Sequence, residues 1–146
     1  MRVRLRGCTV LSTVLMVSPL RGIAKVPSIL VVEADAVVRN LMIRVLSYRG
    51  FTVYEASDPT EALAVCKSFA GKIDLLIVDH ATTGKDVNEQ ILVSCPDTKV
   101  LHISGWPFET MQGQNALIPG SSFLKKPFTA VELANSVQAL LSPRTQ

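Results

Sequence analysis

The chain has 146 residues, 48% of them hydrophobic and 18% charged. That is the size of one domain with a solid core, and too apolar for a disordered chain. The net charge of +3 comes from one end: Arg2, Arg4, Arg6, Arg21 and Lys25 precede residue 27 without an acid among them, which leaves ten bases against 12 acids in the remainder. A clustered basic face for nucleic acid is therefore not expected.

The first 26 residues read as an N-terminal extension. Its start is basic, residues 8–20 are mostly apolar, and Gly22-Ile23-Ala24 has the small residues of a secretory cleavage site. The apolar stretch is too short to span a bilayer, and Arg21 interrupts the pattern, so a disordered extension competes with a signal-like segment. The three cysteines, Cys8, Cys66 and Cys95, have no CxxC spacing and suggest neither a zinc site nor a disulfide framework. Reduced thiols in the cytoplasm are expected.

From Ser28 onward, apolar runs alternate with helical periodicity. Ile29-Leu30-Val31-Val32 reads as a strand buried on both faces. A helix starting at Asp35 carries Val38, Leu41, Met42, Val45 and Leu46, and Gly50 stops it. Residues 51–55 alternate as a second strand. Asp58-Pro59-Thr60-Glu61 is a strong helix start, with Asp58 as cap, Pro59 at the first position and Glu61 completing a box; Gly71 ends this helix. Residues 73–78 form a third strand that ends at Asp79. A loop and a short helix over residues 87–94 follow. Residues 99–103 form a fourth strand ending at Ser104, and residues 107–117 hold a poorly patterned helix. A fifth strand covers residues 122–125, and Thr129-Ala130-Val131-Glu132 is a capping box for the last helix.

Five apolar strands alternating with five helices predict an α/β fold, a doubly wound parallel sheet covered on both faces. Ligands of such sheets bind at the carboxyl ends of the strands. That rule selects Glu33 and Asp35, Asp79, Ser104 and Lys126. Gathered carboxylates suit Mg²⁺, one of them can act as nucleophile toward phosphorus, and a lysine with a hydroxyl can bind phosphoryl oxygens. No G-x-S-x-G elbow accompanies Ser104, His80 and His102, and the turn after the first strand lacks the glycines of a dinucleotide site.

These residues resemble the response-regulator receiver family over about residues 27–141. Ile29-Leu30-Val31-Val32-Glu33 is similar to its first strand and the start of its acidic cluster. Asp74-Leu75-Leu76-Ile77-Val78-Asp79 is similar to the strand ending in the phosphoacceptor. Gly84 matches the glycine of the following loop. Ser104-Gly105 matches the switch hydroxyl and its small neighbour, and Lys126-Pro127-Phe128 the Lys-Pro-Phe signature, with Phe123 at the aromatic switch position. Ser104-Gly105-Trp106 is similar to receivers of hybrid histidine kinases. The resemblance implies a flavodoxin-like receiver domain over residues 27–142, followed by a four-residue tail.

It further implies that Asp79 accepts a phosphoryl group from a histidine kinase or phosphotransfer protein. Lys126 contacts the phosphoryl oxygens, and Ser104 and Phe123 switch the face of the fourth helix, fifth strand and last helix toward a downstream protein or a second copy. Glu33, Asp79 and the Ala81 carbonyl hold Mg²⁺; Asp35 is read as the cap of the helix it starts, with a further metal ligand as the alternative. No enzymatic turnover, nucleic-acid partner or membrane partner is expected. The family's second acidic position is Ala34, which has no ligand atom. The loop Thr82-Thr83-Gly84 lacks the family's proline, and the stretch from Asp79 to Ser104 is short. A stand-alone phosphoacceptor and a phosphorylation-independent interaction module are therefore the two competing functions.

Overall fold

A computed structural model describes residues 5–6, 25–69 and 72–142. The signal-like stretch with Cys8, the expected stop at Gly71 and the tail over residues 143–146 lie outside the described residues. Six strands form one sheet: β1 Leu5–Arg6, β2 Ser28–Val32, β3 Thr52–Ala56, β4 Leu75–Asp79, β5 Lys99–Ser104 and β6 Ser122–Lys125. The helices are α1 Ala36–Tyr48, α2 Pro59–Ser68, α3 Lys85–Ser94, α4 Phe108–Gly113 and α5 Ala130–Leu141. The strand order is β1-β3-β2-β4-β5-β6. All neighbours are parallel except β1, which pairs antiparallel with β3 through Leu5–Tyr54 and Arg6–Val53. The expected five parallel strands and five helices are present. The sixth, antiparallel edge strand falls within the stretch read as an extension.

Strand alternation sorts the core into two layers. Ile29, Val31, Ile77, Leu101 and Ile103 face Met42, Ile43 and Leu46 of α1 and Leu133 and Val137 of α5. Leu30, Val32, Leu76, Val78 and Val100 face Ala62, Val65 and Cys66 of α2 and Ile91 of α3. Every residue of β2 and β4 is buried, as strands covered on both sides require.

The turn chemistry follows the sequence with local shifts. Gly50 takes φ +91° in the turn from α1 to β3, a conformation that a side chain would strain. Asp58 caps α2 by accepting from Glu61 N at 2.9 Å, but Glu61 does not close the box on the cap residue; its Oε2 accepts from Ser57 N at 2.9 Å instead. α2 ends at Ser68, short of the expected stop. At α5 the box is complete: Glu132 N donates to Thr129 Oγ1 at 3.1 Å and Thr129 N to Glu132 Oε2 at 2.7 Å. The second strand sits one residue later than expected, the third begins at Leu75 rather than residue 73, and α3 begins two residues earlier. Cys66 and Cys95 are free and buried, and burial, reinforced by Cys95, pushes the Cys66 thiol up to about 12. No helix among the described residues is long and apolar enough to cross a membrane.

Candidate functional site

The order reverses between β2 and β4, so their carboxyl ends flank a crevice at a topological switch point. Glu33 follows β2 and is 2% exposed. Asp79 closes β4 and is 5% exposed. Lys126, just after β6, reaches both: its Nζ lies 2.8 Å from Glu33 Oε2 and 3.3 Å from Asp79 Oδ1. Burial pulls Lys126 downward, but the Glu33 hydrogen bond and the charges of Asp79 and Glu33 outweigh it, so its pKa is raised and it stays a cation. The backbone joins the same elements, since Lys126 N donates to Ser104 O at 2.8 Å.

Ser104 ends β5 and is buried; its Oγ accepts from Trp106 N at 3.0 Å. A cavity of about 370 Å³ opens among Asp79, His80, Ala81, Ser104, Trp106 and Lys126. Trp106 is half exposed, and its ring lies 5.7 Å from that of His80. Phe123 is half-buried in β6, edge-on to the ring of Phe108 at 5.6 Å. Glu33, Asp79, Ala81, Ser104 and Lys126 thus converge, and Phe123 stands at one remove.

Asp35 does not join them. It leaves the strand end with φ −70° and ψ 114°, and its Oδ1 accepts from Val37 N at 2.8 Å and Val38 N at 3.2 Å. It is the N-cap of α1, because the first helical amides need an acceptor and a one-residue step past the strand turns the side chain toward them. Of the two readings of Asp35, cap and metal ligand, these bonds favour the cap. Replacing Asp35 with alanine should cost about 1 kcal/mol in a urea melt and leave divalent-cation affinity unchanged; a large loss of cation affinity would return it to the site.

Two residues at the site were not singled out from the sequence. Thr82 Oγ1 donates to Asp79 Oδ2 at 3.1 Å and accepts from Ala34 N at 3.0 Å, tying the loops after β2 and β4 together. The tie is possible because the second loop is tight: Asp79 O accepts from both Thr82 N and Thr83 N, and Thr83 Oγ1 donates to Asn88 Oδ1 at 2.8 Å. Arg39 of α1 donates to the Glu33 carbonyl at 2.8 Å and lies 3.4 Å from Glu55. A hydroxyl three residues after Asp79, opposite an alanine, was the available signal for Thr82.

A family model described as the response regulator receiver domain matches residues 29–138. The sensor kinase CckA of Brucella abortus (strain 2308) is 29% identical over 117 residues, which cover 78% of this chain and 12% of that protein. The alkaline phosphatase synthesis transcriptional regulatory protein SphR of Synechococcus elongatus is 33% identical over 77% of this chain and 48% of its own length. This chain thus spans half or less of each of these two relatives. Among solved structures, the receiver domain of the hybrid histidine kinase CckA superposes with a TM-score of 0.67 at 33% identity, over 79% of this chain and 99% of that one. A response regulator receiver protein from Sinorhizobium medicae WSM419 gives 0.70 at 26% identity, over 80% and 95%.

Receivers of this kind generally use Mg²⁺, and the residues here fit such an ion poorly. Ala34 offers no ligand atom, Asp35 is engaged in capping, and one ammonium already spans the two remaining carboxylates. Among the described residues no three acidic, histidine or cysteine side chains are grouped to hold a metal. The fold, the crevice at its switch point and the match over residues 29–138 make this chain a member of the response regulator receiver family of two-component signalling.

Proposed function

We propose that the chain is a phosphoacceptor receiver in which Asp79 takes a phosphoryl group from the phosphohistidine of a histidine kinase or phosphotransfer protein. The observation that carries this reading is the buried Asp79 carboxylate, 3.3 Å from the Lys126 ammonium and open to the cavity that Ser104 also lines. Asp79 attacks phosphorus, and the phosphoryl–donor bond breaks with its electron pair leaving on the donor. Lys126 stabilises the charge on the transferred oxygens. Ser104, now held by Trp106 N, turns toward the new group, and Phe123 repacks against its Phe108 neighbour. That changes the α4–β6–α5 face offered to a downstream protein or a second copy. The chain is a stoichiometric acceptor rather than an enzyme, and its partners place it in the cytoplasm.

A second reading, a phosphorylation-independent interaction module, is favoured by one feature: the Thr82 hydroxyl joins Asp79 to Ala34, where the family has a second carboxylate. Incubation with acetyl phosphate at saturating Mg²⁺, followed by intact mass, separates the two. A gain of one phosphoryl group in wild type and none in Asp79→Asn is expected. No gain in wild type from acetyl phosphate or from a phosphorylated phosphotransfer protein, with the chain folded, hands the case to the interaction module.

A further inference from the structure

The loop after β2 and the loop after β4 meet through one hydroxyl. Thr82 Oγ1 accepts a hydrogen bond from Ala34 N at 3.0 Å, and it gives its single proton to Asp79 Oδ2 at 3.1 Å. These two bonds fix the direction of the hydroxyl. The Ala34 amide can only donate, so the hydroxyl accepts there with one of its two lone pairs and its own hydrogen points at the carboxylate. The other Asp79 oxygen faces Lys126 at 3.3 Å, and Glu33 is held by Lys126 at 2.8 Å and by Asp35 N at 3.1 Å. Every oxygen of the two carboxylates therefore has a protein donor. With two anions and one cation, the trio carries a formal charge of −1.

We propose that Thr82 is a positioning residue whose hydroxyl stands in for a cation beside Asp79: it holds Oδ2 in place and limits the binding of divalent ions there. A cation that approaches Oδ2 meets the positive end of the hydroxyl dipole. To admit it on the side the hydroxyl occupies, the hydroxyl must turn away from Asp79, which breaks one bond and misaligns the other. The inference deepens the phosphoacceptor reading and rests on it for its purpose. Its test nonetheless requires no phosphoryl transfer.

Trp106 is the chain's one tryptophan and lines the cavity beside Asp79, so its fluorescence reports on ions bound there. Mg²⁺ and Mn²⁺ would be titrated into wild type, Thr82→Ala, Thr82→Ser and the double variant Ala34→Asp/Thr82→Ala, with calorimetry alongside. Thr82→Ala should bind about fivefold more tightly than wild type, the gain from removing one competing hydrogen bond. Thr82→Ser restores the hydroxyl and should bind as wild type does. The double variant adds a ligand and should gain a further factor of about ten. The proposal is overturned if Thr82→Ala binds no better than wild type, if it binds less well (Oγ1 would then be a ligand), or if Thr82→Ser follows Thr82→Ala. Absence of saturable binding in Thr82→Ala overturns it too. Thr82 is half-buried and Ala34 exposed, so water can take over the freed amide and the variants should fold. Failure of the phosphoacceptor reading would appear separately, as no mass gain in wild type.

Discussion

Lys126→Met should slow phosphoryl incorporation about 100- to 1000-fold and lower stability by about 2 kcal/mol. Methionine keeps most of the stem and removes the charge, so the loss reports the ammonium alone. The rate falls because, among the described residues, Lys126 is the cation paired with Asp79 that can face the transferred oxygens. The stability falls because Glu33 and Asp79, 2% and 7% exposed at their side chains, are left facing each other without a countercharge. Breaking a fully buried pair costs more, but the Lys126 side chain is 25% exposed and water recovers part of the loss. A time course of intact mass and a urea melt measure the two effects. Incorporation at the wild-type rate would remove Lys126 from the chemistry. The raised pKa adds a signature. The stabilisation is complete below the ordinary lysine value and is lost as pH climbs through the raised one. Wild type should therefore show an alkaline loss of stability that Lys126→Met lacks.

The second large effect is acid instability set by His102. This ring is fully buried in β5, and its Nε2 accepts from Ile118 N at 3.2 Å, which assigns the ring proton to Nδ1. Burial, with a smaller contribution from the charge of His80, lowers its pKa to about 4. Protonation would also put a second N–H against the Ile118 amide. The unfolded chain binds this proton near pH 6.5, and the folded chain resists it until about pH 4. Stability is therefore complete above 6.5 and falls as pH drops through that window, by on the order of 3 kcal/mol. Urea melts at a series of pH values would show the slope in wild type and flatten it in His102→Leu. Slopes rather than absolute values are compared, because the leucine also strands the Ile118 amide. Equal slopes in the two proteins would assign the acid sensitivity to other groups.

The parts of this molecule that could be read from its sequence are those governed by local rules. Strand alternation, Pro59 at a helix start and the Thr129–Glu132 box are each decided within a few residues, and β6 covers the expected residues 122–125. The convergence of Glu33, Asp79, Ser104 and Lys126 also followed, because a parallel sheet brings strand ends to one edge whatever its side chains are. Side-chain direction did not follow. Asp35 lies one residue past the last carbon that could point into the crevice, and only the backbone angles there decide between cap and ligand. Thr82 depended on how tightly the loop after Asp79 closes, which the sequence showed only as a missing proline and a short stretch to Ser104. The β1 pairing needed a partner some 50 residues away. The proton position on His102 did not follow either: Nε2 accepts from Ile118 N, while Nδ1 has no partner among the described residues.

The strand order has a kinetic consequence. β2 and β3 are neighbours in sequence, as are β4, β5 and β6, and each group joins through a single crossover at a time. The β2–β4 ladder, Ile29 to Leu75 through Val32 to Val78, instead joins residues separated by 46 positions, with α1, β3 and α2 in between. Loop closure of that length is slow and is rewarded only when the ladder forms. Glu33 and Asp79 sit at the ends of these two strands, so any partly folded form in which the halves have not met contains each carboxylate but not the site. The site is thus assembled only when this long-range ladder forms, and a destabilised variant that frays along this seam would lose its site before it lost its helices.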